Sequence, residues 1–176
     1  MGKLLGKQNT FRLEGECSHR TETELAALDR AGADAAFRAG QRQLYEDILR
    51  PAGFLRWKGG AFVRRGPEDW LEDIELQKER HGTRTFTVNC MAVLLFLPGA
   101  EPDMTFGERL GVLAVGRDVW WDFAADAAEG SFRNVGEALR RFGLPWFERL
   151  RGDGARKALL REGNRPWAKA WLAALD

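Results

Sequence analysis

Four side chains on one stretch, Asp73, Glu75, Gln77 and Lys78, have the types and spacing to do chemistry. Residues two apart on a strand leave the same face of the backbone, so the oxygens of Asp73 and Glu75 can converge on one side. Such a pair can hold a divalent cation, and a lysine close by can position or activate water for phosphodiester hydrolysis. Glu72 adds a fourth acid or amide to the run, although Asp73, Glu75 and Gln77 share its more polar face. A further aspartate on a separate strand would complete the usual set, and the available Asp69 is too close along the chain for hairpin geometry. The plainer reading of the same residues is an exposed polar strand face, with Lys78, Arg84 or Arg64 pairing across strands.

Other catalytic classes are poorly supplied. His19 and His81 are the two imidazoles, and Cys17 and Cys90 the two thiols. A Cys90–His81 dyad would join a residue inside a strand to a loop tip, beyond hydrogen-bond reach at about 3.4 Å per residue. The Cys and His positions lack zinc-ligand spacing. Lys58-Gly59-Gly60 reads as a turn with no helix after it, so it is no phosphate cradle. No cofactor is implied.

The binding candidates are of three kinds. Gln77 and Asn89 are neutral amides on neighbouring strands, suited either to tying a strand to a loop or to lining a pocket. Trp120 and Trp121 are adjacent, and adjacent strand residues face opposite ways. One ring therefore packs under a helix, and the other lies either beneath the C-terminal helices or near the surface, where tryptophan is a natural interface anchor. Arg140, Arg141, Arg149 and Arg151 form a basic cluster in sequence, either a phosphate-binding patch or a solvated helix face.

The elements that must position these residues centre on 70–97. Trp70, Ile74 and Leu76 alternate with Leu71, Asp73, Glu75 and Gln77, and Phe86, Val88, Cys90 and Ala92 alternate with Thr85, Thr87 and Asn89. A period of two marks half-buried strands, and the polar residues 79–84 with Gly82 suit the hairpin loop between them. Ahead of this hairpin, Phe37, Gln41, Leu44 and Ile48 predict a helix from an Asp34 N-cap to about Arg50, closed by Pro51 and Gly53. A short hairpin, 54–57 with 61–65, follows across Gly59-Gly60. Beyond the central pair, Pro98 to Asp103 reads as a loop, and 109–115 and 118–123 as two short strands, or a strand and an irregular edge, around Gly116. Phe132, Val135, Leu139 and Phe142 predict a helix from Ser131 ended by Gly143, then short helices from Pro145, over 155–161 and from Asn164. A helix, about six strands and then helices make an α+β domain. The expected architecture is a twisted, mostly antiparallel sheet of about five to six strands, packed by an N-terminal helix and several C-terminal helices. Residues 1–33 read as an extension, with a short helix capped by Thr23, and 34–176 as a single domain.

At 176 residues with a net charge of +1, the chain generates no global field towards nucleic acid or a membrane. Charge is nonetheless segregated: residues 98–129 carry two basic and seven acidic side chains, and residues 130–176 ten and five. Two cysteines without framework spacing fit a reducing compartment, and no apolar run is long enough to span a bilayer. A cytoplasmic protein is expected.

Several stretches together resemble a known family. They are Leu49-Arg50-Pro51-Ala52-Gly53-Phe54, Lys58-Gly59-Gly60-Ala61-Phe62-Val63-Arg64, Ile74-Glu75-Leu76-Gln77-Lys78, Phe86-Thr87-Val88-Asn89, Arg109-Leu110-Gly111 with Trp120-Trp121, and Leu144-Pro145-Trp146-Phe147-Glu148. In this order, over roughly 34–150, they are similar to domain of unknown function 4304. Cys90-Met91 departs from the small residue that the family tends to place after Asn89. The resemblance implies a small cytosolic bacterial domain and brings no catalytic residues with it.

Two readings follow. The first is a non-catalytic module that binds another protein through a sheet edge or a charged face, such as a toxin-neutralising immunity-type protein. The second is a metal-dependent, nuclease-like hydrolase carried by Asp73 and Glu75 with Lys78.

Overall fold

In a computed structural model the described residues are 30–66, 70–94, 105–151 and 157. The predicted hairpin is the centre of the sheet. Strand β3 (Trp70–Lys78) pairs antiparallel with β4 (Thr85–Leu94), in a register that sets Ile74 opposite Cys90 and Glu75 opposite Asn89. Two strands lie outside β3: β1 (Leu55–Arg56) pairs with β2 (Ala61–Arg65), and β2 with β3. On the other side β4 pairs with β5 (Thr105–Arg109), and the start of β4 also pairs with β6 (Trp121–Asp122). The spatial order is β1-β2-β3-β4-β5, all neighbours antiparallel, which leaves β1 at an edge of the described sheet.

One face of this sheet is apolar because of its parity. Phe62, Ile74, Leu76, Phe86, Val88, Cys90 and Ala92 are buried on it against the helices. Helix α1 (Arg30–Leu44) supplies Ala33, Phe37 and Leu44 to that core, and α3 (Ala128–Ala138) supplies Phe132 and Val135. Phe37, Phe86 and Phe132 meet there, with Phe86 stacked on Phe132 at 4.9 Å and Phe37 edge-on to Phe86 at 5.3 Å. Such offset and edge-to-face contacts add to the burial of the rings themselves.

The α+β architecture is the one expected, and four local expectations are corrected. Helix α1 already includes the turn ahead of Asp34, where Ala33 lies on the same buried stripe as Phe37. Asp34 is thus a helical residue rather than an N-cap, and its carboxylate receives Lys78 Nζ at 2.8 Å. Secondly, residues 109–115 are not a strand: Arg109 ends β5, and the apolar run after it is a short helix, α2 (Leu110–Val115), capped by Gly116. Short apolar runs do not separate strand from helix by periodicity. Thirdly, of 118–123 only Trp121–Asp122 pairs as a strand.

Fourthly, Gly143 does not stop the helix. The backbone stays helical from Ala128 through α4 (Leu144–Leu150), passing through a widened π-turn at Leu139–Gly143 that the Leu144 N–H closes onto the Leu139 carbonyl. Proline has no N–H to give, and its ring crowds the carbonyl one turn back. The wider turn, placed just before Pro145, accommodates both demands. A π-turn at Tyr45–Leu49, closed by Arg50 N–H to the Tyr45 carbonyl at 2.8 Å, precedes Pro51 in the same way. Gly143 is small for a packing reason: a Cβ there would lie 2.9 Å from Leu139 Cδ2, 3.3 Å from Leu110 Cδ1 and 3.4 Å from the Cys90 sulfur. The expected helices at 23–28, 155–161 and from Asn164, and the loop 98–103, lie outside the described residues.

The parity that buries the core also buries Glu72, which is 0% exposed. Its carboxylate takes Arg64 Nε at 2.5 Å from β2 and Arg151 Nε at 3.3 Å from the end of α4. Arg64 Nη1 also donates to the Ala52 carbonyl at 2.6 Å, and its guanidinium lies 4.6 Å from the centre of the Phe54 ring. Removing one member of a buried ion pair strands the others without water. Replacing Glu72 with Ala is therefore expected to cost about 3–5 kcal/mol in urea unfolding, and Glu72→Gln, which keeps the shape, distinctly less.

Candidate functional site

Three candidate residues of β3, Asp73, Glu75 and Gln77, lie on the face of the sheet opposite the core. They are half-buried there, opposite Met91, Asn89 and Thr87 of β4. Asn89 Nδ2 donates to Gln77 Oε1 at 3.0 Å and to Glu75 Oε2 at 3.3 Å. The two amides and one carboxylate are therefore joined across the strands through Asn89 Nδ2. Asp73 sits between Val63 and Met91 in the strand register, and its buried Oδ1 has no hydrogen-bond partner. Burial in this apolar setting, with the charge of Glu75 adding to it, pushes the Asp73 carboxyl up to about 6.

Lys78 is not brought to these carboxylates. The strand pleat turns it to the helical side, where its ammonium pairs with Asp34 and lies 4.2 Å from the Phe37 ring centre and 4.7 Å from that of Phe123. Among the described residues no three His, Cys, Asp or Glu side chains converge as a metal-ligand set. Cys90 is buried in the core, and burial, with the charges of Asp73 and Glu108, raises its thiol far above the ordinary range, so it carries no nucleophilic thiolate. His81 lies in the exposed hairpin loop, whose backbone is tied down by its N–H to Glu79 Oε2 at 2.6 Å.

The tryptophan pair divides as adjacent residues must. Trp121 is fully buried, and its indole N–H donates to Asn134 Oδ1 at 2.8 Å. Trp120 is half-buried beyond β5, donating to Asp118 Oδ2 at 3.2 Å with the Arg109 guanidinium 5.3 Å from its ring centre. Arg109 in turn pairs with Asp118. The arginines of 140–151 do not act as one patch: Arg140 donates to the Asp47 carbonyl at 3.3 Å, Arg141 pairs with Glu137 at 3.3 Å, and Arg151 turns inward to Glu72.

A different place holds the exposed apolar side chains. Leu55 and Trp57, on and just after edge strand β1, are 66% and 65% exposed, and they are the large hydrophobic residues exposed among those described. Trp57 also lines a cleft of about 310 Å³ between α1 and the β1–β2 turn, together with Arg38, Gln41, Arg42 and Arg56, over a floor of Gly60, Ala61 and Phe62. Gly60 has φ +94°, and a Cβ on it would stand 3.2 Å from Gln41 Nε2, so glycine lets the turn approach the helix closely. Sequence reasoning looked for the exposed tryptophan at 120–121 and missed this one. The signal available was the alternation Phe54, Leu55, Arg56, Trp57, which puts Leu55 and Trp57 on the parity opposite the buried Phe54.

The profile of the family described as domain of unknown function (DUF4304) matches residues 45–149, and the chain belongs to that family. No curated protein and no solved structure matches it. The matched segment begins in the π-turn that ends the first helix and closes within α4, so it contains the whole described sheet. No helix among the described residues is long and apolar enough to cross a membrane.

Asp73 makes stability depend on pH in a direction that can be worked out. Its folded value of about 6 lies above the ordinary 3.8, so the folded chain holds the proton more tightly than the unfolded one. Its influence is least harmful below the ordinary value, and stability is lost as pH rises through the interval from 3.8 to about 6. Asp73→Asn, which cannot ionise, is expected to raise Tm near neutral pH and leave it nearly unchanged at about pH 4. Thermal melts of both proteins across that range check the sign.

Proposed function

We propose that this chain is a non-catalytic protein-binding module of the bacterial cytosol, which engages another protein at the β1 edge of its sheet. The observation that carries this reading is the exposure of Leu55 and Trp57 on that edge. An edge strand offers unpaired backbone groups, and proteins usually blunt such edges with charge rather than decorate them with large apolar side chains. Burying each of these two residues under a partner is worth roughly 1.5–3 kcal/mol. Tryptophan and arginine are the residues that most often dominate interface energetics, and Arg56 lies between the two apolar side chains. A small domain that neutralises a toxin by docking against it is one use for such an edge.

Phosphodiester hydrolysis draws less support. Lys78 faces away from Asp73 and Glu75, and Glu75 is already bonded to Asn89. A metal-dependent hydrolase would gain thermal stability with Mg²⁺ or Mn²⁺ and lose that gain in the Asp73→Ala, Glu75→Ala variant. The binding module is expected to melt at the same temperature with or without either ion.

The direct measurement is affinity capture from the source cell's lysate, with the Leu55→Ser, Trp57→Ala double variant alongside. Both positions are exposed, so the variant should keep the wild-type Tm. The wild-type chain is expected to retain a discrete protein, and the variant to bind it roughly 100-fold more weakly. Equal retention by both proteins would refute docking at this edge.

A further inference from the structure

The cleft beside β1 collects positive charge that the described residues neutralise only in part. Arg38 and Arg42 stand one turn apart on α1, and Arg56 faces them from β1. Like charges at this helical spacing destabilise a helix, so the arrangement costs the fold stability. The described lining contains three guanidinium groups and no carboxylate. Glu46, one turn beyond Arg42, is taken by Arg50 at 2.7 Å and by Arg56 at 3.6 Å. Arg38 and Arg42 have no hydrogen-bond or ion-pair partner among the described residues. Trp57 lines the same space.

We propose that the Arg38–Arg42–Arg56 cleft, with Trp57, binds an acidic segment of a protein partner running along the outer edge of β1 in the described sheet. This rests on the protein-binding reading above and adds to it the chemistry of what is bound. The volume of about 310 Å³ is at the small end of ligand sites, with room for a few side chains of an extended chain rather than for a folded surface. A strand laid beside β1 sends alternate side chains to opposite faces, so every second residue would project over the arginines. Planar guanidinium forks match carboxylates in two-point hydrogen bonds.

Nucleic acid fits the same charges less well. Following a phosphate backbone needs a continuous stripe of free cations, whereas Arg64, Arg109, Arg133, Arg141 and Arg151 are all paired with carboxylates. The overall charge of +1 supplies no field to hold a polyanion.

The test titrates the full chain with a glutamate-rich synthetic peptide containing spaced leucines, its glutamine counterpart and a short single-stranded oligonucleotide. Binding is followed by anisotropy of labelled ligands and by the part of the tryptophan emission that Trp57→Phe removes. The expected result is salt-sensitive binding of the glutamate peptide, weakened roughly tenfold in Arg38→Gln, Arg42→Gln, with no binding of the glutamine peptide. Both arginines are exposed, so this variant should melt as the wild type does. Three outcomes would overturn the proposal: no binding of the glutamate peptide, undiminished binding by the double variant, or tighter arginine-dependent binding of the oligonucleotide. If lysate capture depends on Leu55 and Trp57 yet persists in Arg38→Gln, Arg42→Gln, docking at the edge stands and the acidic segment is refuted.

Discussion

Glu72 is a full carboxylate on the core side of the central strand, and what surrounds it holds the molecule together. Arg64 reaches it from β2 and Arg151 from the end of the last described helix, while Glu148 binds the same two arginines at 3.5 and 3.0 Å. Two acids and two bases therefore close on themselves, at the point where strand, helix end and first-helix loop converge. Through Arg64 alone, the Ala52 carbonyl, the Phe54 ring, Glu72 and Glu148 are tied into one assembly. A buried ion pair contributes little net stability against an apolar replacement, but it is intolerant of alternative arrangements. Arg64 thus orients β2 and the loop after α1, which carry the turn bearing Trp57 and Gly60.

Two proline-adjacent π-turns serve the same geometry. Pro51 ends the first helical segment and aims the chain into β1, and Pro145 is carried inside a helix that continues to Arg151. The helix that runs on past this widened turn and Pro145 brings Arg151 to Glu72. The close fit of Gly143 against Cys90 and Leu110 places that same turn directly on the sheet. The helix path and the buried ion cluster are in this sense one constraint.

The two faces of the sheet consequently differ in kind. All the described helices pack on one side, where the pleat has gathered the aromatic and aliphatic residues. On the other side Asn89 bridges Glu75 and Gln77 across the strands, and the groups so bonded have less incentive to turn to a ligand. Asp73 apart, the unsatisfied chemistry lies at the edge, in two exposed apolar side chains and in Arg38 and Arg42, which have no carboxylate partner among the described residues.

The sequence by itself determined the period of the longer elements, though not of the short apolar run 110–115, and hence the α+β class, the central hairpin, its register parity and the apolar face built from Trp70 to Ala92. Those follow from local backbone geometry, which side-chain alternation reports directly. It also required Trp120 and Trp121 to part company, since neighbours on an extended chain cannot share a face. Parity placed Glu72 with the core residues and Lys78 away from Asp73, but the pull of like residue types in one run obscured both. Only tertiary structure decided that Glu72 would be neutralised by arginines from distant segments, that Gly143 is a packing contact rather than a helix stop, and that Arg38, Arg42, Arg56 and Trp57 share one cleft. Each depends on residues far apart in the chain arriving at the same point, and periodicity carries no information about where a helix lies across a sheet.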